Sequence, residues 1–204
     1  VDRGLLVVGP ADPPGLDPEA VMAFAHATGF PVLADPLSGL RFGGHTRVAP
    51  VIGGYDGFVD TEVTADWPDP EVVVRLGASP TSKPLRRYLA GVDATQFVVD
   101  PAGEWREAEF TATDLVVADP DRLCGRLAEV VRGGGSADWR ERWESADDAH
   151  GSVVEDASDR LFEGGILADV VRWLPDPATL VVSNSMPVRD LDRFGAPATK
   201  SITA

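Results

Sequence analysis

Two polar segments with helix-start signals carry the residues best suited to bind a ligand. Each follows an apolar run: residues 77–84 read GASPTSKP, and residues 183–189 read SNSMPVR. A helix N-terminus presents free N–H groups to an anion, and a nearby Lys or Arg adds positive charge at the same place. We therefore predict a site for the carboxylate or phosphate groups of an anionic substrate. The candidate binding residues are Lys83, Asn184, Ser185 and Arg189.

Local interactions could also account for each segment. Lys83 could be a solvated surface residue, and Ser185 could be an ordinary helix N-cap. Arg189 could pair with Asp190 or Asp192, which follow it in the sequence. The ligand-binding interpretation gains weight from the two segments together, because loops at the carboxyl ends of parallel strands open onto one crevice.

Motifs for several other chemistries are absent from the sequence. The dinucleotide fingerprint GxGxxG should follow the first strand, where residues 9–17 instead read GPADPPGLD. No GxxxxGK[ST], HExxH or GxSxG motif occurs. The three His residues lie far apart, and Cys124, the single Cys, is predicted to be an inert core residue. We therefore assign no catalytic residue and no metal ligand to these 204 residues.

The charge balance narrows the classes of partner. The net charge is −15, from 33 acidic and 18 basic residues, so nucleic acid and anionic membranes would repel the surface. Sixteen of the basic residues are Arg, and an acidic, Lys-poor chain indicates a halophile, in which salt screens the carboxylates. Arg41 and Arg47 flank a Gly-rich loop and could extend a basic rim. With one Cys and no apolar stretch long enough to span a membrane, we predict a cytoplasmic protein.

Short apolar runs alternate with helix-length segments along the chain. Strands are predicted at residues 4–9, 31–35, 71–77, 95–99, 114–118, 179–183 and 200–203. Helices are predicted at residues 19–28, 48–58, 84–90, 121–131, 137–156, from Ser158 or Ile166 to Leu174, and 188–194. Continuous apolar strands are covered on both faces, as in a parallel sheet. We therefore predict one α/β domain over residues 1–204, three-layered and Rossmann-like, with a mostly parallel sheet and helices on both faces.

The segment VVSNSMPVRDLDRF resembles the 2-succinyl-5-enolpyruvyl-6-hydroxy-3-cyclohexene-1-carboxylate synthase family. Asn184, Ser185 and Arg189 match the family's motif, and Ser183 stands where Gly is usual. Residues 30–41 (FPVLADPLSGLR) and 75–89 (RLGASPTSKPLRRYL) agree in the expected order.

The resemblance implies a central domain of a three-domain enzyme of menaquinone biosynthesis. Such enzymes decarboxylate 2-oxoglutarate on thiamine diphosphate and Mg²⁺ and add the succinyl-semialdehyde carbanion to isochorismate. The cofactor-activating glutamate and the metal motif belong to the amino- and carboxyl-terminal domains, so the isolated chain is expected to be inactive. The resemblance also implies a homo-oligomer, and it implies that Lys83, Ser185 and Arg189 hold substrate carboxylates.

Two other functions remain open at this point. A noncatalytic Rossmann-like domain could bind ADP, FAD or NAD, although the acidic loop after the first strand, which lacks GxG, disfavours it. A structural spacer between domains would leave Lys83 and Arg189 apart and facing solvent.

Overall fold

Strands and helices alternate through residues 1–157 and 159–204, the part of the chain that this computed structural model describes. The strands are β1 (Gly4–Val8), β2 (Val32–Ala34), β3 (Val51–Ile52), β4 (Val72–Leu76), β5 (Thr95–Val99), β6 (Asp114–Val116), β7 (Ala178–Thr179) and β8 (Ile202–Thr203). The helices are α1 (Pro18–Thr28), α2 (Tyr55–Phe58), α3 (Lys83–Gly91), α4 (Pro120–Val130), α5 (Ala137–Asp156), α6 (Glu163–Trp173) and α7 (Met186–Phe194). None of these helices is long and apolar enough to cross a membrane.

Six strands form one parallel sheet in the order β3-β2-β1-β4-β5-β6. Leu6 of β1 is paired with Val32 of β2 on one side and with Val74 of β4 on the other. The chain thus starts in the middle of the sheet and winds outward in both directions, with the switch point between β1 and β4. This order confirms the predicted α/β, Rossmann-like class.

Helices cover both faces of the six-stranded sheet, which confirms the predicted three layers. On one face, α1 and α4 pack over Leu6, and Cys124 is buried there, which raises the pKa of its thiol to about 12. On the other face, α2, α3 and α5 pack over Val7, with Trp139 and Trp143 in an aromatic cluster. Since successive residues of β1 point into two apolar layers, all five of them are buried.

Three helices begin at capping residues that the sequence makes recognisable. The side chains of Asp17, Ser82 and Asp119 each accept a hydrogen bond from a backbone N–H of the first turn. Each cap contributes about 1 kcal/mol, and the Pro in each first turn loses no hydrogen bond there. Helices α1, α3 and α4 therefore begin within one residue of their predicted starts.

A buried ion pair orders the connection between β5 and β6, whose residues 100–113 contain no helix. Arg75 of β4 places Nη1 3.2 Å from Glu107 Oε1, and both side chains are nearly fully buried. Glu107 also accepts hydrogen bonds from the backbone N–H groups of Glu109 and Thr111. Burial alone would raise the pKa of Glu107, but these N–H donors and the charge of Arg75 bring that pKa below its usual value. The carboxylate thus holds the connection against the sheet.

The prediction of a helix near residues 48–58 is wrong. The structure places the edge strand β3 there, at Val51–Ile52, followed by the single helical turn α2. A strand of two residues is too short to show the period that distinguishes strand from helix in a sequence.

The strand predicted at residues 179–183 as the last buried strand is also wrong. β7 ends at Thr179 and pairs in parallel with β8 in a separate two-stranded sheet, and Val181 is 91% exposed. A small core of Phe42, Val171, Leu191 and Ile202 stabilises this second sheet. The alternative helix start at Ser158 lies outside the described residues, and α6 begins at Glu163.

Backbone contacts join the second sheet to the first. The N–H of Gly43 donates to the carbonyl of Ala198 at 2.8 Å, and the N–H of Ala198 donates to the carbonyl of Arg41 at 3.3 Å. These contacts bring α7 beside the 3-10 turn Pro36–Ser38, which follows β2 at the carboxyl edge of the main sheet.

Candidate functional site

The loops after β1 and β4 touch each other at the switch point of the main sheet. The N–H of Gly9 donates to the carbonyl of Leu76, and the N–H of Ala78 donates to the carbonyl of Pro10, both at 2.9 Å. A Cβ at Gly9 would lie 1.8 Å from the carbonyl oxygen of Ala78, so this approach requires glycine. The crevice in which a doubly wound domain holds a dinucleotide is here occupied by the chain's own backbone.

The β5–β6 connection ties down both loops. Arg106 Nη1 lies 2.6 Å from Asp12 Oδ2 in the loop after β1. The N–H of Ala108 donates to Ser79 Oγ at 2.8 Å in the loop after β4. The alternative of a domain that binds ADP, FAD or NAD is therefore not supported.

Lys83 is the first residue of α3, directly after the loop that leaves β4. Its side chain is exposed, and it forms no ion pair with any of the described residues. The preceding residue, Ser82, is buried; its hydroxyl accepts from the N–H of Leu85 at 3.0 Å and donates to Asp56 Oδ1 at 2.5 Å. The position of Lys83 at the carboxyl edge of the main sheet is thus fixed by Ser82.

Asp56 connects the start of α3 to α7. One carboxylate oxygen accepts the hydroxyl of Ser82, and the other lies 3.5 Å from Nε of Arg193 on α7. This connection reaches Arg193 near the carboxyl end of α7, whereas Ser185 and Arg189 lie at the start of that helix and follow a strand of the second sheet rather than one of the main sheet. The prediction that both segments follow parallel strands that open onto one crevice is therefore wrong for the second segment.

Ser185 and Arg189 interact directly at the start of α7. Arg189 Nε donates to the carbonyl of Ser185 at 2.9 Å, and its Nη2 lies 3.4 Å from Ser185 Oγ. Both residues are exposed, and Asn184 is exposed in the preceding turn. Ser185 has φ +76° and its side chain does not cap the helix, so the ordinary N-cap interpretation is wrong. A positive φ in a non-Gly residue costs about 1–2 kcal/mol.

The local pairings that would have explained Arg189 without a ligand are not found. No ion pair joins Arg189 to another described residue, and Asp192 pairs with Arg41 instead. Asp190 is 8% exposed, and its burial, together with the charge of Glu163, raises the pKa of its carboxyl. The first turn of α7 contains no acidic residue. An anion at this turn would therefore meet an exposed cation and free helix N–H groups.

A buried polar cluster beside α7 escapes the sequence-based predictions. Arg41, predicted to extend a basic rim, is fully buried, and its Nη2 lies 2.7 Å from Oδ1 of Asp192. Tyr55 is also fully buried and donates its hydroxyl to the same oxygen at 2.7 Å. The one sequence signal for this burial is that Arg41 stands between Leu40 and Phe42, both apolar.

Burial shapes the protonation of this cluster. Desolvation raises the pKa of Asp192 to about 7 despite the opposing charge of Arg41. Desolvation and the charge of Asp192 also raise the pKa of Tyr55 well above its usual value, so its hydroxyl remains a donor. The second carboxylate oxygen of Asp192 is buried without a hydrogen-bond partner among the described residues.

The described residues do not fit a divalent-cation site. No group of three or more His, Cys, Asp or Glu side chains within residues 1–157 and 159–204 is arranged to hold a metal ion. Lys83 and the start of α7 offer cations, hydroxyls and backbone N–H donors, which are groups that bind anions.

Comparison with known proteins gives a consistent result. No protein-family model matches the chain. A 2-succinyl-5-enolpyruvyl-6-hydroxy-3-cyclohexene-1-carboxylate synthase from Halorubrum lacusprofundi is 62% identical over 100% of this chain and 36% of the relative. The synthases of the same name from Haloquadratum walsbyi (55% identical; 98% of this chain, 38% of the relative) and Bacillus cytotoxicus (38%; 95% and 33%) also match.

The chain thus spans about a third of the length of the curated relatives that it matches. Relatives at 55–62% identity are from halophilic archaea, in agreement with the acidic, Lys-poor composition. The similarity extends over the whole chain and includes the three segments that carry the resemblance. Over its whole length, this chain is thus a homologue of one part of the 2-succinyl-5-enolpyruvyl-6-hydroxy-3-cyclohexene-1-carboxylate synthases.

Proposed function

We propose that this chain is the central domain of a thiamine-diphosphate-dependent synthase of menaquinone biosynthesis. The complete enzyme decarboxylates 2-oxoglutarate and adds the resulting succinyl-semialdehyde carbanion to isochorismate. Identity of 55–62% over nearly the whole chain supports this proposal. We place the enzyme in the cytoplasm as a homo-oligomer that also contains the pyrimidine- and diphosphate-binding domains.

The role proposed for this chain is to hold substrate carboxylates. The observation that carries it is the start of α7, where Arg189 and Ser185 are exposed, in contact with each other, and without an acidic partner among the described residues. An Arg guanidinium forms charge-assisted, often bidentate hydrogen bonds with a carboxylate. Lys83, exposed at the start of α3, adds a second cation in this proposal, and Asn184 adds an amide in the turn between β7 and α7.

The thiamine diphosphate and Mg²⁺ belong, in this proposal, to the other domains. The described residues form no group of three or more His, Cys, Asp or Glu side chains that could hold a magnesium ion. The residues of this chain bind and orient the anionic substrates, while the cofactor supplies the electron sink in the complete enzyme. The isolated chain is accordingly expected to be inactive.

The test is Arg189→Ala in the full-length enzyme, with steady-state kinetics and thermal unfolding of the same preparation. Loss of one charge-assisted contact should lower kcat/KM by about ten- to a hundred-fold. The melting temperature should change little, because the side chain is exposed. Arg126→Ala is the matched control, since Arg126 is 75% exposed on α4 and pairs only with Glu129 among the described residues. A large fall in melting temperature with unchanged kcat/KM would make Arg189 a structural residue.

A further inference from the structure

The guanidinium of Arg41 is fully hydrogen-bonded inside the protein. Nε donates to the carbonyl of Ala34, and Nη1 donates to the carbonyls of Asp192 and Gly195. Nη2 donates to the hydroxyl of Tyr55 at 3.0 Å and to Oδ1 of Asp192 at 2.7 Å. All five N–H donors of the side chain are therefore used.

These acceptors lie on three different elements. Ala34 is the last residue of β2, Tyr55 is the first residue of α2, and Asp192 and Gly195 belong to the carboxyl end of α7. A cation at the carboxyl end of a helix also interacts favourably with the helix dipole. Arg41 thus attaches α7 to the carboxyl edge of the main sheet.

The attachment lies at one end of α7, and the proposed binding residues lie at the other. A helix of nine residues is about 13 Å long, so a tilt of about 10° at the attached end would move the first turn by about 2 Å. Productive binding geometry requires placement within about 0.5 Å. A small change in the helix orientation that Arg41 sets would therefore displace Arg189 and Ser185 far enough to prevent them from binding a substrate carboxylate.

We propose that Arg41, Tyr55 and Asp192 form a buried clamp that positions the start of α7 for anion binding. This inference rests on the proposed function, because it acts through Arg189. Stability alone explains the clamp poorly: buried ion pairs can often be replaced by apolar residues without loss of stability. One carboxylate oxygen of Asp192 even remains unpartnered among the described residues. Directional bonds to five acceptors instead select one orientation of α7.

The test is a double-mutant cycle in the full-length enzyme with 2-oxoglutarate and isochorismate as substrates. Arg41→Lys keeps the charge but loses the forked geometry. Alone it should lower kcat/KM by about ten-fold, and in the Arg189→Ala background by less than about two-fold. Equal effects of Arg41→Lys in both backgrounds would overturn the positioning role.

Two further variants keep the test decisive. Arg75→Lys disturbs a second buried ion pair, which Arg75 of β4 forms with Glu107 of the β5–β6 connection, and it should lower the melting temperature without changing kcat/KM. If Arg41→Lys does not fold, Tyr55→Phe takes its place in the cycle, because this substitution removes only the hydroxyl. Tyr55→Phe should lower kcat/KM about three-fold in the parent, and by less in the Arg189→Ala background. An Arg189→Ala variant with unchanged kcat/KM would refute the proposed function, whereas additive effects would refute the clamp alone.

Discussion

Arg41 Nη2 and Asp192 Oδ1 lie 2.7 Å apart in a fully buried contact, although 151 residues separate them in the chain. This pair connects the turn after β2 to the carboxyl end of α7, and so connects the two sheets of the molecule. The predicted binding residues on α7 depend on it, in our proposal, for the orientation of their helix.

Replacing Asp192 by Asn should change how stability depends on pH. The pKa of Asp192 is about 7 in the folded chain, against about 3.9 for an unfolded Asp. Its stabilising contribution is therefore full below about pH 4 and is lost as the pH rises through about 7. The unfolding free energy of the parent minus that of Asp192→Asn should fall across this window, by up to about 1.4 kcal/mol per pH unit.

Urea unfolding at constant KCl, repeated at half-unit pH steps, measures this difference. Above about pH 7 it should level off, because both states of the parent are then ionised. A difference that does not vary between pH 4 and 7 would mean that the attraction of Arg41 keeps Asp192 ionised throughout.

Glu107→Ala should destabilise the chain strongly. The variant leaves the buried Arg75 charge unpaired and removes the acceptor of two backbone N–H groups, a loss of about 3–5 kcal/mol. Glu129→Ala is the matched control, since its pair with Arg126 is exposed and contributes at most about 1 kcal/mol. Urea unfolding measures the unfolding free energy of both variants. A similar decrease in the two variants would contradict the structural role of Glu107.

Gly9→Ala should weaken the contact between the loops after β1 and β4. The added Cβ would overlap the carbonyl oxygen of Ala78, which is backbone and cannot rotate away, at a cost of about 1–3 kcal/mol. Gly125, inside α4, has open space where its Cβ would lie, so Gly125→Ala should stabilise by about 0.5–1 kcal/mol. Thermal unfolding should show opposite signs for the two variants, and a neutral Gly9→Ala would argue that the crevice is open.

Stability should rise steeply with KCl. Only five of the 33 acidic residues are buried, so the remaining carboxylates share the surface with 18 basic residues and repel one another. The Debye length falls from about 30 Å at 0.01 M to about 3 Å at 1 M salt. KCl should raise the melting temperature more than an uncharged osmolyte does at equal osmolality. A melting temperature that does not change with KCl would mean that adaptation to salt does not account for the acidic composition.

Much of the main sheet could be predicted because its signals are local. Runs such as GLLVV and, apart from Arg75, VVVRL are apolar without alternation, as expected for strands buried on both faces, and β1 and β4 form there. Asp17, Ser82 and Asp119 mark helix starts because each cap needs only a neighbouring N–H group. The pairing of Ser185 with Arg189 is likewise local, one helical turn apart.

The tertiary structure alone decided which sheet a strand joins and which charges are buried. The apolar run at residues 179–183 is typical of a strand, but the strand that forms pairs with β8, whose residues lie more than 20 positions further along the chain. Arg41 and Arg47 have the same residue type and flank the same loop, yet Arg41 is buried and Arg47 exposed, because only Arg41 meets Asp192. A sequence shows the charge of a residue, whereas its burial depends on partners brought from distant parts of the chain.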